Sequence, residues 1–207
     1  MKLVFASTNP HKLREVREIL APRGIDVRGL DDVGRDVPEP VEDADTLEGN
    51  ARLKALAYAR ALGRTCLADD SGLEVDALGG APGVHSAHYA GIGATREERD
   101  RANRDKLVAE LRKLGEVNRS ARLVCTLCLA DAAGRVLFEA RGAVEALITD
   151  EPREGNGFGY DRHLFLPVLG KSVSELSADE WNARSHRGAA VRALSEWLLA
   201  HPLPSES

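Results

Sequence analysis

The 207-residue chain is poor in cysteine, aromatics and unbroken apolar runs. Its three cysteines are an odd number and too few for a disulfide framework, so reduced thiols and a cytoplasmic home are the default expectation. Cys125 and Cys128 form a CxxC, but within "ARLVCTLCLA", a strand pattern. Positions three apart on a strand face opposite ways, which excludes a shared metal or redox pair and leaves two small core residues. Aromatics make up only 4%, so the core is aliphatic and alanine-rich. No apolar stretch approaches the ~18 residues that would cross a bilayer, and "MKLVFASTN" offers no small-residue cleavage site. No membrane partner and no signal peptide are therefore expected. A basic excess is also missing: 28 Lys and Arg face 33 Asp and Glu, a net charge of -5, which argues against a nucleic-acid partner. The length suits one domain or a compact pair of lobes, 1–207, with a core that needs no disulfides.

Strands and helices alternate along the chain. "KLVFA" reads as a buried strand, and Pro10 behind an Asn9 cap opens a helix over 10–21. Residues 31–45 are acidic, proline-bearing and aperiodic, and read as a loop. Thr46 caps a helix over 47–62, "TCLA" is a strand, and 95–114 is a charged helix whose apolar stripe is Leu107, Leu111 and Leu114. Residues 121–130 and 135–148 read as a hairpin around "DAAG". Ser177 and Glu180 form a capping box, and "HRGAAVRALSEWLLA" closes the chain as a helix. The fold class is α/β with a mixed sheet.

Four polar clusters interrupt this scaffold. "STNPHK" (7–12) joins a strand to a helix, whose N-terminus with Lys12 suits a phosphate. "ADDSGL" reads as a strand that ends on two carboxylates, Asp69 and Asp70, followed by a Ser71-Gly72 turn. Such a pair can hold Mg²⁺ or deprotonate water, and its alternative is a solvated turn. "GFGYD" (157–161) sets Phe158 between glycines, either as a stacking face or as a core ring. "SHRG" carries His186, more often structural than catalytic, and Arg187, a forked donor for carbonyl or phosphate oxygens.

"STNPHK", "ADDSGL", "LGGAPG", "FGYD" and "SHRG" follow one another in this order across nearly the whole chain. Together they resemble the inosine/xanthosine triphosphate pyrophosphatase family. The resemblance implies an elongated two-lobed α/β fold around a long twisted mixed sheet, with a nucleotide cleft between the lobes, and a homodimer. It implies Mg²⁺-dependent hydrolysis of non-standard purine nucleoside triphosphates (ITP, dITP, XTP) to the monophosphate and pyrophosphate. It puts Ser7, Thr8, Asn9, Pro10, His11 and Lys12 on the triphosphate and makes Asp70 the proton acceptor. Asp70, Asp69 and a glutamate of the acidic loop, Glu42 with Glu39 as second choice, would hold the metal. Ser71 would touch substrate, Phe158, Gly159, Tyr160 and Asp161 would surround base and sugar, and His186 and Arg187 would read the purine's 6-keto oxygen.

One position departs from the family pattern. A lysine usually stands four residues before the serine of "SHRG", and here it is Trp181. Arg184, one helical turn on, is a candidate replacement, while Trp181 at the nucleotide site either stacks or packs. Two other readings stay open: a Maf-like pyrophosphatase for other modified nucleotides, and a nucleotide-binding regulator without catalysis.

Overall fold

The structure, a computed structural model, describes residues 1–33 and 37–203. In chain order it forms β1 (Lys2–Phe5), α1 (Pro10–Leu20), β2 (Asp26–Arg28), α2 (Leu47–Leu62), β3 (Cys66–Val75), β4 (Pro82–Gly83) and α3 (Arg96–Lys113). There follow β5 (Ser120–Ala130), β6 (Val136–Ile148), β7 (Leu164–Leu166), β8 (Lys171–Ser172), α4 (Ala178–Asn182) and α5 (His186–Ala200). The strand order is β2-β1-β3-β5-β6-β7-β8, with β4 on β3. β1 pairs parallel with β2 and β3, whereas β3–β4, β6–β7 and β7–β8 are antiparallel. The sheet is therefore mixed, as the alternation of crossovers and turns requires. Among the described residues no helix is long and apolar enough to cross a membrane.

The chain divides into two compact units, Met1–Asp70 with Cys125–Gly142 and Asn182–Ser207, and Ser71–Val124 with Ala143–Trp181. In the first unit, Leu3, Phe5, Val16, Leu127 and Leu194 form one apolar cluster, which also holds Cys125. Phe138 and Trp197 pack against it, and Trp197 stacks on His201 with ring centroids 4.5 Å apart. The alanine-rich stripe of α2 builds a second cluster with Cys66 and Cys128. Cys125 and Cys128 thus serve opposite faces as core residues, and burial pushes the Cys128 thiol up to about 12. In the second unit, Leu73, Leu107, Leu111, Ile148 and Leu164 make the core.

Local chemistry sets most boundaries. The Asn9 side chain accepts from His11 N with Pro10 in the first turn, and Thr46 accepts from Gly49 N. α2 ends on Gly63 in the left-handed region (φ 67°), a conformation that glycine adopts without steric penalty. Ser177 and Glu180 exchange capping bonds of 2.9 and 3.2 Å. Leu114 is exposed rather than part of the apolar stripe, because α3 stops at Lys113. In the acidic segment, Asp31–Val33 is a short 3-10 turn, 34–36 lie outside the described residues, and 37–46 are irregular.

The largest departure from the sequence expectation is at Asp69–Gly72. No turn follows the two carboxylates: β3 runs through Asp69, Asp70, Ser71 and Gly72 to Val75. Asp, Ser and Gly mark a turn only where water solvates them, and here Asp69 is 2% and Asp70 9% exposed. Gly72 serves close approach, since a Cβ there would lie 2.4 Å from the Gly83 carbonyl oxygen of β4. Gly72→Ala must therefore push β4 away. A loss of about 1–3 kcal/mol is expected, read as a fall in Tm of about 2–4 °C per kcal/mol. An unchanged Tm would show that β4 yields freely.

Candidate functional site

Consecutive strand residues face opposite sides, so Asp69 and Asp70 enter different surroundings. Asp69 meets α1 and α5. Its carboxylate lies 3.1 Å from the Lys12 ammonium and accepts from Arg187 Nε at 3.2 Å and from Cys125 Sγ at 3.7 Å. Arg187, also 2% exposed, donates through Nη1 to Glu15, a buried residue one turn beyond Lys12 on α1. Four charges of alternating sign, Lys12, Asp69, Arg187 and Glu15, thus link α1, β3 and α5. Burial alone would raise the Asp69 carboxyl, but Lys12 and Arg187 outweigh it and hold it well below the carboxylate range. Burial would likewise lower the Arg187 guanidinium, and Asp69 more than reverses this.

Asp70 meets α2 and the acidic segment. It accepts from Lys54 Nζ at 3.2 Å and from Asn50 Nδ2 at 3.3 Å. The same Lys54 ammonium donates to Glu42 at 2.8 Å. Asn50 Oδ1 accepts from Ala44 N at 3.0 Å and so ties the acidic segment to α2. Thr126 Oγ1 donates to the Asp70 carbonyl at 3.3 Å. Burial raises the Asp70 carboxyl, with Lys54 opposing, so its proton affinity exceeds that of an ordinary aspartate. Two neighbouring carboxylates therefore differ in kind: Asp69 is held ionised, and Asp70 is raised in proton affinity.

The donor set fits a divalent cation at one place. Asp70 and Glu42 already converge on one cation, the Lys54 ammonium, and both are hard oxygen donors of the type Mg²⁺ takes beside phosphate and water. Glu39, the second choice, is exposed. Asp69 does not fit: Lys12 and Arg187 neutralise it, and its neighbours lie on the opposite side of β3 from those of Asp70. Among the described residues no group of three or more His, Cys, Asp or Glu side chains could hold an ion.

Ser7, Thr8 and Asn9 form the exit from β1, and Pro10, His11 and Lys12 the first turn of α1, with the Asn9 amide bonded to Ser7 Oγ at 3.2 Å. His186 and Arg187 open α5 behind the Ser185 cap. His186 is buried, and burial with Arg187 beside it holds the imidazole well below its usual pKa, so it is neutral. Ser71, Phe158, Gly159, Tyr160, Asp161 and Trp181 belong to the second unit. Phe158 is 37% exposed, whereas Tyr160 is a core ring whose hydroxyl donates to the Ser86 carbonyl at 2.9 Å. Asp161 accepts from Phe158 N at 2.9 Å. Trp181 packs, half-buried, against the core of its unit. Arg184 does not stand one helical turn from it, because α4 ends at Asn182 and Arg184 lies in an exposed turn.

Sequence reasoning missed Lys54, Asn50 and Glu15. A signal existed for the first two: they occupy i and i+4 on the buried stripe of α2, among Leu47, Ala51, Ala55 and Tyr58. Polar residues on a helix's core face are buried only when paired. Glu15 had none, since polar residues abound on α1.

Two outcomes follow from this electrostatics. Arg187→Met leaves Asp69 and Glu15 as buried charges short of their shared partner, so unfolding in urea at pH 7 should show a loss of about 3–5 kcal/mol. A loss below 1 kcal/mol would show that the chain of charges is not held together by Arg187. His186 is protonated in the unfolded chain below about pH 6.5 but stays neutral in the folded one. The unfolded state then binds the extra proton, so stability falls as pH drops below that value. His186→Asn should flatten the stability profile between about pH 5 and 6.5, and an unaltered slope would refute the assignment.

Comparison with known proteins agrees with this organisation. A dITP/XTP pyrophosphatase of an Exiguobacterium species is 48% identical over 96% of this chain and 97% of its own. One from Bacillus licheniformis is 43% identical over 95% and 97%. The solved structure of a HAM1 protein from Coxiella burnetii superposes with a TM-score of 0.87 at 36% identity, covering 97% of this chain and 99% of that one. The model of the Ham1 family matches residues 3–197, and the chain belongs to that family.

Proposed function

We propose that this chain hydrolyses non-standard purine nucleoside triphosphates, dITP, ITP and XTP, to the monophosphate and pyrophosphate. The observation that carries the chemistry is the buried Asp70, raised in proton affinity and sharing one cation with Glu42. The relatives' activity, dITP/XTP pyrophosphatase, supports the substrate class.

In this reading the N–H groups of the first turn of α1 and the Lys12 ammonium bind phosphate oxygens. Asp69, locked by Arg187, keeps Lys12 aimed and never titrates near neutrality. Asp70 takes the proton of the attacking water. Lys54 holds Asp70 and Glu42 apart from each other's charge and offers a further cation to the phosphates. Asp70 and Glu42 would hold Mg²⁺, which when bound offsets phosphate charge and stabilises the leaving pyrophosphate. His186 and Arg187, at the start of α5, would read the purine's 6-keto oxygen, an acceptor where adenine presents a 6-amino donor. In the second unit, Phe158 offers a stacking surface to a purine. A homodimer in the cytoplasm belongs to the same reading.

The test is product analysis across ITP, dITP, XTP, GTP and ATP, with and without Mg²⁺. Pyrophosphate should be the first product from ITP, dITP and XTP, with ATP poor and activity lost to a chelator. Asp70→Asn should lower kcat by about 10²–10⁴-fold. Orthophosphate as the first product, or near-parental turnover in the variant, would overturn the reading.

A further inference from the structure

Phe158 is the only exposed Phe, Tyr or Trp among the described residues. It stands between two glycines in the left-handed region, Gly157 (φ 121°) and Gly159 (φ 57°). Glycine leaves the backbone many alternatives, so beyond the Asp161 carboxylate that accepts from Phe158 N within the loop, the ring's position is set from outside it. The imposing element is α3. Asp100 accepts from Gly159 N at 3.0 Å, and Arg104 Nη1 donates to the Gly159 carbonyl at 2.7 Å. Both polar atoms of one residue, next to the ring, are thus gripped by charged side chains, and such bonds are short and strong. The Arg96 guanidinium lies 5.0 Å from the centre of the Phe158 ring and 4.0 Å from Asp100. Arg96, Asp100 and Arg104 recur every four residues, so one face of α3 carries all three.

α3 is itself anchored. Asn103, 2% exposed, donates to the carbonyls of Ser86 and Ala87 at 3.2 and 3.1 Å and accepts from Ala90 N at 2.7 Å. Tyr160, on the other side of Gly159, donates to the same Ser86 carbonyl. The loop that carries Phe158 and the helix that grips it therefore share one fixed point. A fold-stabilising purpose would favour a buried residue as the object of this grip. What is held instead is an exposed ring.

We propose that Asp100 and Arg104 are positioning residues for the base-stacking surface, and that Arg96 adds a cation to the stack. The proposal rests on the reading of Phe158 as a purine platform. Once positioned, the ring binds a purine without first ordering two glycines, so removing the grip should weaken base binding and leave phosphate binding untouched.

The experiment compares the parent with Arg104→Ala, Arg104→Lys and Asp100→Asn, the last keeping size and shape should the alanine variant fail to fold. KM and kcat for ITP are measured with the inhibition constants of inosine monophosphate, which carries the base, and of pyrophosphate, which does not. In Arg104→Ala and Asp100→Asn, KM and the monophosphate constant should rise about tenfold, the pyrophosphate constant should hold, and kcat should change far less than KM. Arg104→Lys should recover part of the loss. Parental KM and monophosphate constants would overturn the proposal, as would a pyrophosphate constant that rises in step, the mark of general disorder. A parent that does not cleave ITP would instead sink the nucleotide reading itself, before any variant is made.

Discussion

A single buried carboxylate organises the first unit. Asp69 has left water almost entirely and is tolerable only because Lys12 and Arg187 meet it there. Arg187 in turn requires Glu15. Helix α1, strand β3 and helix α5 are consequently placed by charge as well as by apolar packing. A buried ion network is weak as a source of net stability, because desolvation offsets much of the attraction. Its value lies in discrimination: any other register of α5 against β3 would strand a charge in the core. Lys12, the lysine proposed to bind phosphate, is thereby aimed by the same network that seats the last helix.

The adjacent carboxylates divide their work through the alternation of a strand. Had they sat in a turn, water would have made them alike. Inside β3 each carboxylate takes its hydrogen bonds from a different set of neighbours. Asp69 meets two cations and is held ionised, whereas Asp70 meets a lysine shared with Glu42 and a desolvated surrounding that lifts its proton affinity. Two carboxyls of opposite pKa shift are thus produced from the same residue type, about 3.3 Å of strand rise apart.

Most elements were legible because their ends carry explicit chemistry: Asn9 and Pro10, Thr46 and Gly63, Ser177 and Glu180 all act as expected. The α/β class and the motif order were equally plain. What failed was the environment of polar residues. "DDSG" spells a turn to local propensity, yet tertiary partners turned it into the centre of a ten-residue strand. Besides the purine role expected of it, Arg187 gives its Nε and Nη1 to carboxylates 118 and 172 residues away in sequence. Pairings at such separation leave no local trace. Lys54 was in plain view on an alanine stripe, and only the question of why a lysine stands there would have found it.

The two tryptophans of the chain fall one to each unit. Trp197 stacks on His201 in the first, and Trp181 packs half-buried in the second. The chain therefore carries a native optical label on either unit. Emission from a Trp197→Phe background reports the second unit alone, and from a Trp181→Phe background the first. His201, stacked on the indole, places a second ring directly against the first label. Melting followed in both backgrounds would reveal whether the two units lose their structure as one cooperative body or in succession.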